Sequence, residues 1–142
     1  MAVAITIPYK FSLNVGSKVF NLASDQLKVA LSNSAPTQST LNQYSDISSP
    51  IASTNLSGAT PFNVTTTSYT QTSGVSKLIC VDLVLTATGA VGPFQYVFLY
   101  DDAATNKEII GYYNYGSAVT MAATDTFTID FDAANGVVTI GT

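Results

Sequence analysis

The closing stretch Thr124–Thr142, TDTFTIDFDAANGVVTIGT, sets the fold class. Large apolar residues stand at Phe127, Ile129 and Phe131, with Thr128 and Asp130 between them. A period of two suits a strand with one buried face, because successive side chains point to opposite sides of a sheet. Asn135-Gly136 then precedes a second β-branched run, Val137–Ile140. Asn-Gly can supply the two positive φ values of a type I′ turn, so the pattern predicts a terminal hairpin of Phe127–Phe131 against Val137–Ile140. Burying three large apolar side chains at ~1.5–3 kcal/mol each would make the C-terminus a core element, where most chains fray.

The same pattern extends upstream. From Pro61 the chain reads FNVTTTSYTQ, SKLICVDLVLTAT, GPFQYVFLYDD, EIIGYYNYG and SAVTMA before the terminal pair. Turn signals part these runs at Ser73-Gly74, Gly89, Gly92-Pro93, Thr105-Asn106 and Gly116. Many short strands with almost no helix predict a mainly β fold, an antiparallel, jelly-roll-like β-sandwich. Nearer the N-terminus, Phe11, Val15, Val19 and Leu22 form a helical stripe, weakened by Gly16 at ~1 kcal/mol. Leu27, Val29 and Leu31 alternate with Lys28, Ala30 and Ser32, as in a strand with one buried face.

Residues 34–60 have no sustained period and are rich in Ser, Thr, Asn, Pro and Gly. Structureless loops beyond ~12–15 residues are uncommon unless functional or bound, so this segment is expected to order against a neighbouring subunit. A chain of 142 residues fits one domain. Its expected parts are an N-terminal arm and helix (1–22), an extended loop or arm (34–60) and a β-sandwich body (61–142).

Composition narrows the function. Charged residues make up 10% of the chain, against a typical ~25%, so the surface is sparsely ionic. The cations are five lysines, scattered in sequence, with net charge −4, which argues against nucleic-acid binding. Ser and Thr supply about a quarter of the residues, a hydroxylated skin suited to contact with other protein. Without His or Arg, Ser–His–Asp and Cys–His catalysis, His-ligated zinc and arginine fingers are excluded. No phosphate-cradling glycine motif occurs. The lone Cys80, in the apolar run KLICVDLVL, reads as a buried hydrophobe. The expectation is a non-enzyme with no cofactor and no metal.

No apolar run reaches the ~18–20 residues of a membrane span. The opening MAVAITIPYKF lacks a cationic region before its apolar residues, so no signal peptide is expected, and synthesis and assembly are expected in the cytoplasm.

Two clusters could carry function. Asp101-Asp102 and Asp130/Asp132 could ligate Ca²⁺ or act as an acid–base pair, but aspartates at turn starts more often cap their own backbone. The aromatic residues Tyr112, Tyr113 and Tyr115, beside Phe94 and Tyr96, could stack on sugar rings. Tyr is also favoured in strands and at interfaces, so core plus subunit interface is the preferred reading, with these five as candidate interface residues.

The blocks FNLASDQLKVALSNSAP, GPFQYVFLYDDAATN, IIGYYNYG and AVTMAATDTFTIDFDAANGVVTI together resemble a family of small virion proteins of tailed bacteriophages. The resemblance covers Phe20–Pro36 and Gly92–Ile140. It departs at Phe20, often His in such relatives, and at Tyr112, often Trp. It implies a head or tail structural component, with capsid decoration favoured. As a cement protein the chain would be a homotrimer on the major capsid protein at the virion surface, its shell contacts in Met1–Leu22 and in 34–60. A tail or head–tail connector component and a glycan-binding module are the alternatives.

Overall fold

The computed structural model describes residues 3–141. The chain is mainly β, with antiparallel sheets. In order the elements are β1 (Ile5–Thr6), α1 (Phe11–Gly16), β2 (Leu27–Ser32), a 3-10 turn at Tyr44–Asp46, β3 (Asn63–Val64), β4 (Thr66–Thr72), β5 (Val75–Cys80), β6 (Leu83–Thr86), β7 (Val91–Asp101), β8 (Ile109–Met121), β9 (Thr126–Ile129) and β10 (Val138–Gly141). They form three sheets: β1-β8-β7-β2-β3, β10-β5-β4 and β6-β9.

The terminal hairpin does not form. β9 pairs with β6, setting Ile129 opposite Leu83 and Phe127 opposite Leu85. β10 instead pairs with β5, setting Val138 opposite Leu78 and Ile140 opposite Ser76. A type I′ turn needs two consecutive positive φ values. Gly136 has φ +84°, but Asn135 keeps a negative φ, and the other positive value falls at Asp132. The Asp132 carboxylate accepts bonds from the Asn135 backbone and side-chain nitrogens, and Gly136 N donates to Asp132 O at 2.7 Å. This wider turn carries the chain from one sheet to another. Burial was read correctly for Ile129 and Phe131, while Phe127 is half-buried. Thr142, where the predicted run ends, lies outside the described residues, as do Met1 and Ala2 at the start of the predicted N-terminal arm.

The type I′ geometry belongs to Ser73 (φ 52°) and Gly74 (φ 85°), which join β4 to β5 with Thr72 opposite Val75. Two other boundaries move. SKLICVDLVLTAT breaks at Val81-Asp82, so β5 and β6 lie in different sheets. EIIGYYNYG and SAVTMA fuse into the 13-residue β8, which passes through Gly116 (φ 81°) with its register to β7 shifted between Phe94 and Tyr96. The helical stripe is also cut short. α1 ends at Gly16, Lys18 takes φ 61°, and Val19 N donates to Asn14 O, which removes Val19 and Leu22 from the helix. Phe11 and Phe20 then stack at 5.6 Å across the bend.

One apolar core draws on all three sheets, among others Val29, Leu31, Phe94, Val97 and Tyr113 from the large sheet, Leu78 and Val138 from the second, Leu85 and Ile129 from the third. A second cluster lies on the other face of the large sheet: Ala30, Phe98, Tyr100, Ile109 and Tyr112, with Leu41 and Ile47 from residues 34–60. β2 is therefore buried on both faces, not one.

Residues 34–60 fold back onto their own chain, which corrects the expectation of an arm ordered by a neighbour. Leu41, Ile47 and Leu56 are buried, and Ile51 N donates to Leu31 O. Tyr44 N donates to Lys107 O, Ile109 N to Asn42 O, and Ser57 N to Thr86 O. The N-terminal segment is tied down likewise: β1 pairs with Tyr112 and Tyr113 of β8, and Asn14 Nδ2 donates to Asn42 Oδ1. Gly111 admits β1, because a Cβ there would overlap the Ile5 side chain.

Candidate functional site

Strand alternation sorts the predicted aromatic residues onto two faces. On β8, Tyr113 and Tyr115 turn toward the main core, while Tyr112 turns toward the second cluster. Phe94, 0% exposed, meets Phe127 edge-on at 5.1 Å, and Tyr115 meets Phe127 at 5.0 Å. Tyr113 is 3% exposed and packs near Phe131 at 6.2 Å. Tyr112 sits beside Phe98 at 5.9 Å. Burial drives the phenols of Tyr113 and Tyr115 upward, Tyr115 to about 12, so both stay protonated and uncharged.

Phe94, Tyr112 and Tyr113 are thus core side chains. Tyr96 and Tyr115 keep partial exposure. Near Tyr96 the surface is amide: Gln95 Nε2 donates to Asn114 Oδ1 at 2.9 Å and reaches the Tyr96 hydroxyl at 3.4 Å. Among these five rings, three are buried and the partly exposed Tyr96 and Tyr115 belong to different clusters.

The aspartates act mainly on their own backbone. Asp130 Oδ1 accepts from Asp132 N, and Asp82 Oδ1 accepts from Phe131 N. Asp102 pairs with Lys107 at 2.8 Å and Lys28 at 3.1 Å, and the Lys107 bond holds its carboxyl below the usual range. Among the described residues no three acidic, Cys or His side chains converge as a metal cluster would require.

Asp101 is different. It is 0% exposed, and its Oδ1 accepts from Ala103 N and Ala104 N, capping the β7–β8 turn. Its Oδ2 is buried without a donor. The Asp25 carboxyl is a near neighbour of Asp101. Burial first, and Asp25 second, push Asp101 up to about 7. Asp25 was not singled out from sequence, because nothing local in NLASDQ places it beside a residue 76 positions on. The arrangement can hold a proton near neutral pH, but it lacks a second reacting group.

Cys80 is buried against Thr66, and burial raises its thiol to about 11, so it is a packing residue. Among the described residues no helix is long and apolar enough to cross a membrane. Known protein families, curated proteins and solved structures contain no match to this chain.

Proposed function

We propose that this chain is a structural protein of a bacteriophage virion, a decoration or cement protein that binds the capsid's outer lattice as an oligomer. The three sheets around one shared core are, in this reading, a jelly-roll-like sandwich. The observation that carries the proposal is the covering formed by residues 34–60. This long segment has one charged residue, Asp46, and its tied-down backbone runs from the outer face of the large sheet, at Leu41 and Ile47, to the end of β6, where Ser57 N donates to Thr86 O. A neutral, preformed surface can be placed in many copies side by side without accumulating like charge. Each lattice contact then raises the effective concentration for the next.

The shell contacts are assigned to residues 1–22 and 34–60, with a trimeric body standing on the major capsid protein. The tied-down backbone of the described residues in these segments implies docking without much ordering cost, in contrast to a disordered arm. The resemblance in sequence supports a tail or head–tail connector role as well, and copy number per particle separates the two. A glycan-binding module is disfavoured, since three of the five aromatic candidates are core residues.

The experiment is co-sedimentation of the purified protein with phage heads that lack it. Saturable binding supports the proposal. A protein that stays in the supernatant at every concentration overturns it.

A further inference from the structure

We propose that the free edge of β4 joins two copies of this chain, edge to edge and antiparallel, about a two-fold axis at Thr70. β4 pairs with β5 alone. The two-residue turn at Ser73-Gly74 makes Thr72–Val75 a pair that exchanges both backbone bonds, so Thr70–Lys77 and Ser68–Ile79 follow in phase. Tyr69 and Gln71 therefore aim their backbone N–H and C=O groups away from β5. Among the described residues nothing else pairs with those groups.

Natural sheets blunt such edges with short strands, charge, proline or bulges. The other edges here are blunted. β1 and β3 are two residues long, and Pro8 and Pro61 lie close by. β6, β9 and β10 have four residues each; Asp125 and Asp130 flank β9, Ser57 N donates to Thr86 O at the end of β6, and β10 ends in Gly141. β8 beyond Tyr113 is interrupted by its register shift and by Gly116. Among the described residues β4 alone offers a long edge, Thr66–Thr72, reading TTSYTQT, without charge, proline or glycine. Its bulge falls between Thr66 and Ser68 and leaves Ser68–Thr72 regular.

The occupant that suits this edge is a second β4. Centred on Thr70, the pairing sets Thr70 against Thr70, Tyr69 against Gln71 and Ser68 against Thr72. The outward groups of Tyr69 and Gln71 then exchange four backbone bonds across the axis, and no like charges face one another. Hydroxyl and amide pairs of this kind are favourable cross-strand neighbours. The three-stranded sheet becomes a continuous six-stranded one across two copies. This contact does not depend on the virion reading. If the body is a trimer, three such contacts join two trimers face to face.

Three variants test it. Thr70→Lys puts like charges opposite each other at an exposed position. Gln71→Pro removes an outward N–H that β5 does not use. Thr70→Cys places two thiols at a non-hydrogen-bonded pair, with Cα atoms ~4.5 Å apart, within disulfide reach. Mass by light scattering should halve in Thr70→Lys and Gln71→Pro relative to wild type, and Thr70→Cys should form a covalent dimer under diamide. If Gln71→Pro fails to fold, the solvent-exposed Thr70→Lys still decides. Equal mass for wild type and Thr70→Lys, or no covalent dimer from folded Thr70→Cys, would overturn the proposal.

Discussion

Asp101 is the residue whose setting most changes its chemistry. Burial first, and Asp25 second, raise Asp101 to about 7, so the folded protein holds on Asp101 a proton that the unfolded chain releases above its ordinary value of 3.8. Proton binding is then greater in the folded state between about pH 4 and pH 7, so stability falls as pH rises through that window and is level above it. The melting temperature should drop between pH 5 and pH 8, by about 2–4 °C for each kcal/mol involved. Asp101→Asn keeps an acceptor for Ala103 and Ala104 and offers Asp25 a permanent donor. Calorimetry across that range should therefore show a flattened slope in the variant. A wild-type melting temperature that rises from pH 5 to pH 8 would refute the raised Asp101 carboxyl. The lowered Asp102 carboxyl acts elsewhere, losing its contribution only below the ordinary carboxylate range.

At the same scale, Phe131 (1% exposed) should cost ~3–5 kcal/mol on truncation to Ala, measured by denaturant unfolding. Tyr9, at 68% exposure, should change stability by no more than ~0.5 kcal/mol. Burial of Ile129 and Phe131 was legible, since alternation assigns residues to faces. The core part of the core-plus-interface reading fits Phe94, Tyr112 and Tyr113, which are buried. Residue type raises the odds of both core and interface, and only the packed neighbours separate the two.

Among elements, alternation identified the strands but not their partners. Hydrophobic period states which side of a strand is buried, and says nothing about which strand lies beside it. Asn135-Gly136 was therefore read as a local hairpin, while Ser73-Gly74, a weaker signal, supplies the type I′ turn. The 34–60 segment was misread for a related reason. Its anchors Leu41, Ile47 and Leu56 are too widely spaced to show a period, yet each fills a place in the core. Leu41→Ala should cost ~2–5 kcal/mol. Hydrogen exchange should find the Ile51 and Ile109 amides, bonded to Leu31 O and Asn42 O, protected nearly as well as β7. Exchange at the rate of a free chain would contradict a tied-down loop. Gly111→Val should cost ~1–3 kcal/mol by forcing Ile5 and β1 from the sheet edge.

For the whole molecule, composition spoke more clearly than any motif. A chain without His or Arg cannot build a Ser–His–Asp triad, a His-ligated zinc site or an arginine finger, and this is legible before any strand is placed. The mainly β class was equally legible, because seven runs with turn punctuation leave little room for helix. Quaternary contacts were not, since an open edge such as β4 emerges only once every strand has found its neighbours. The central claim is that this chain works by adhering to protein neighbours in a virion. Electron cryomicroscopy of purified particles tests it most directly. The account predicts this fold repeated at lattice points over the outer surface of the head; particles in which it occupies no repeated position would contradict it.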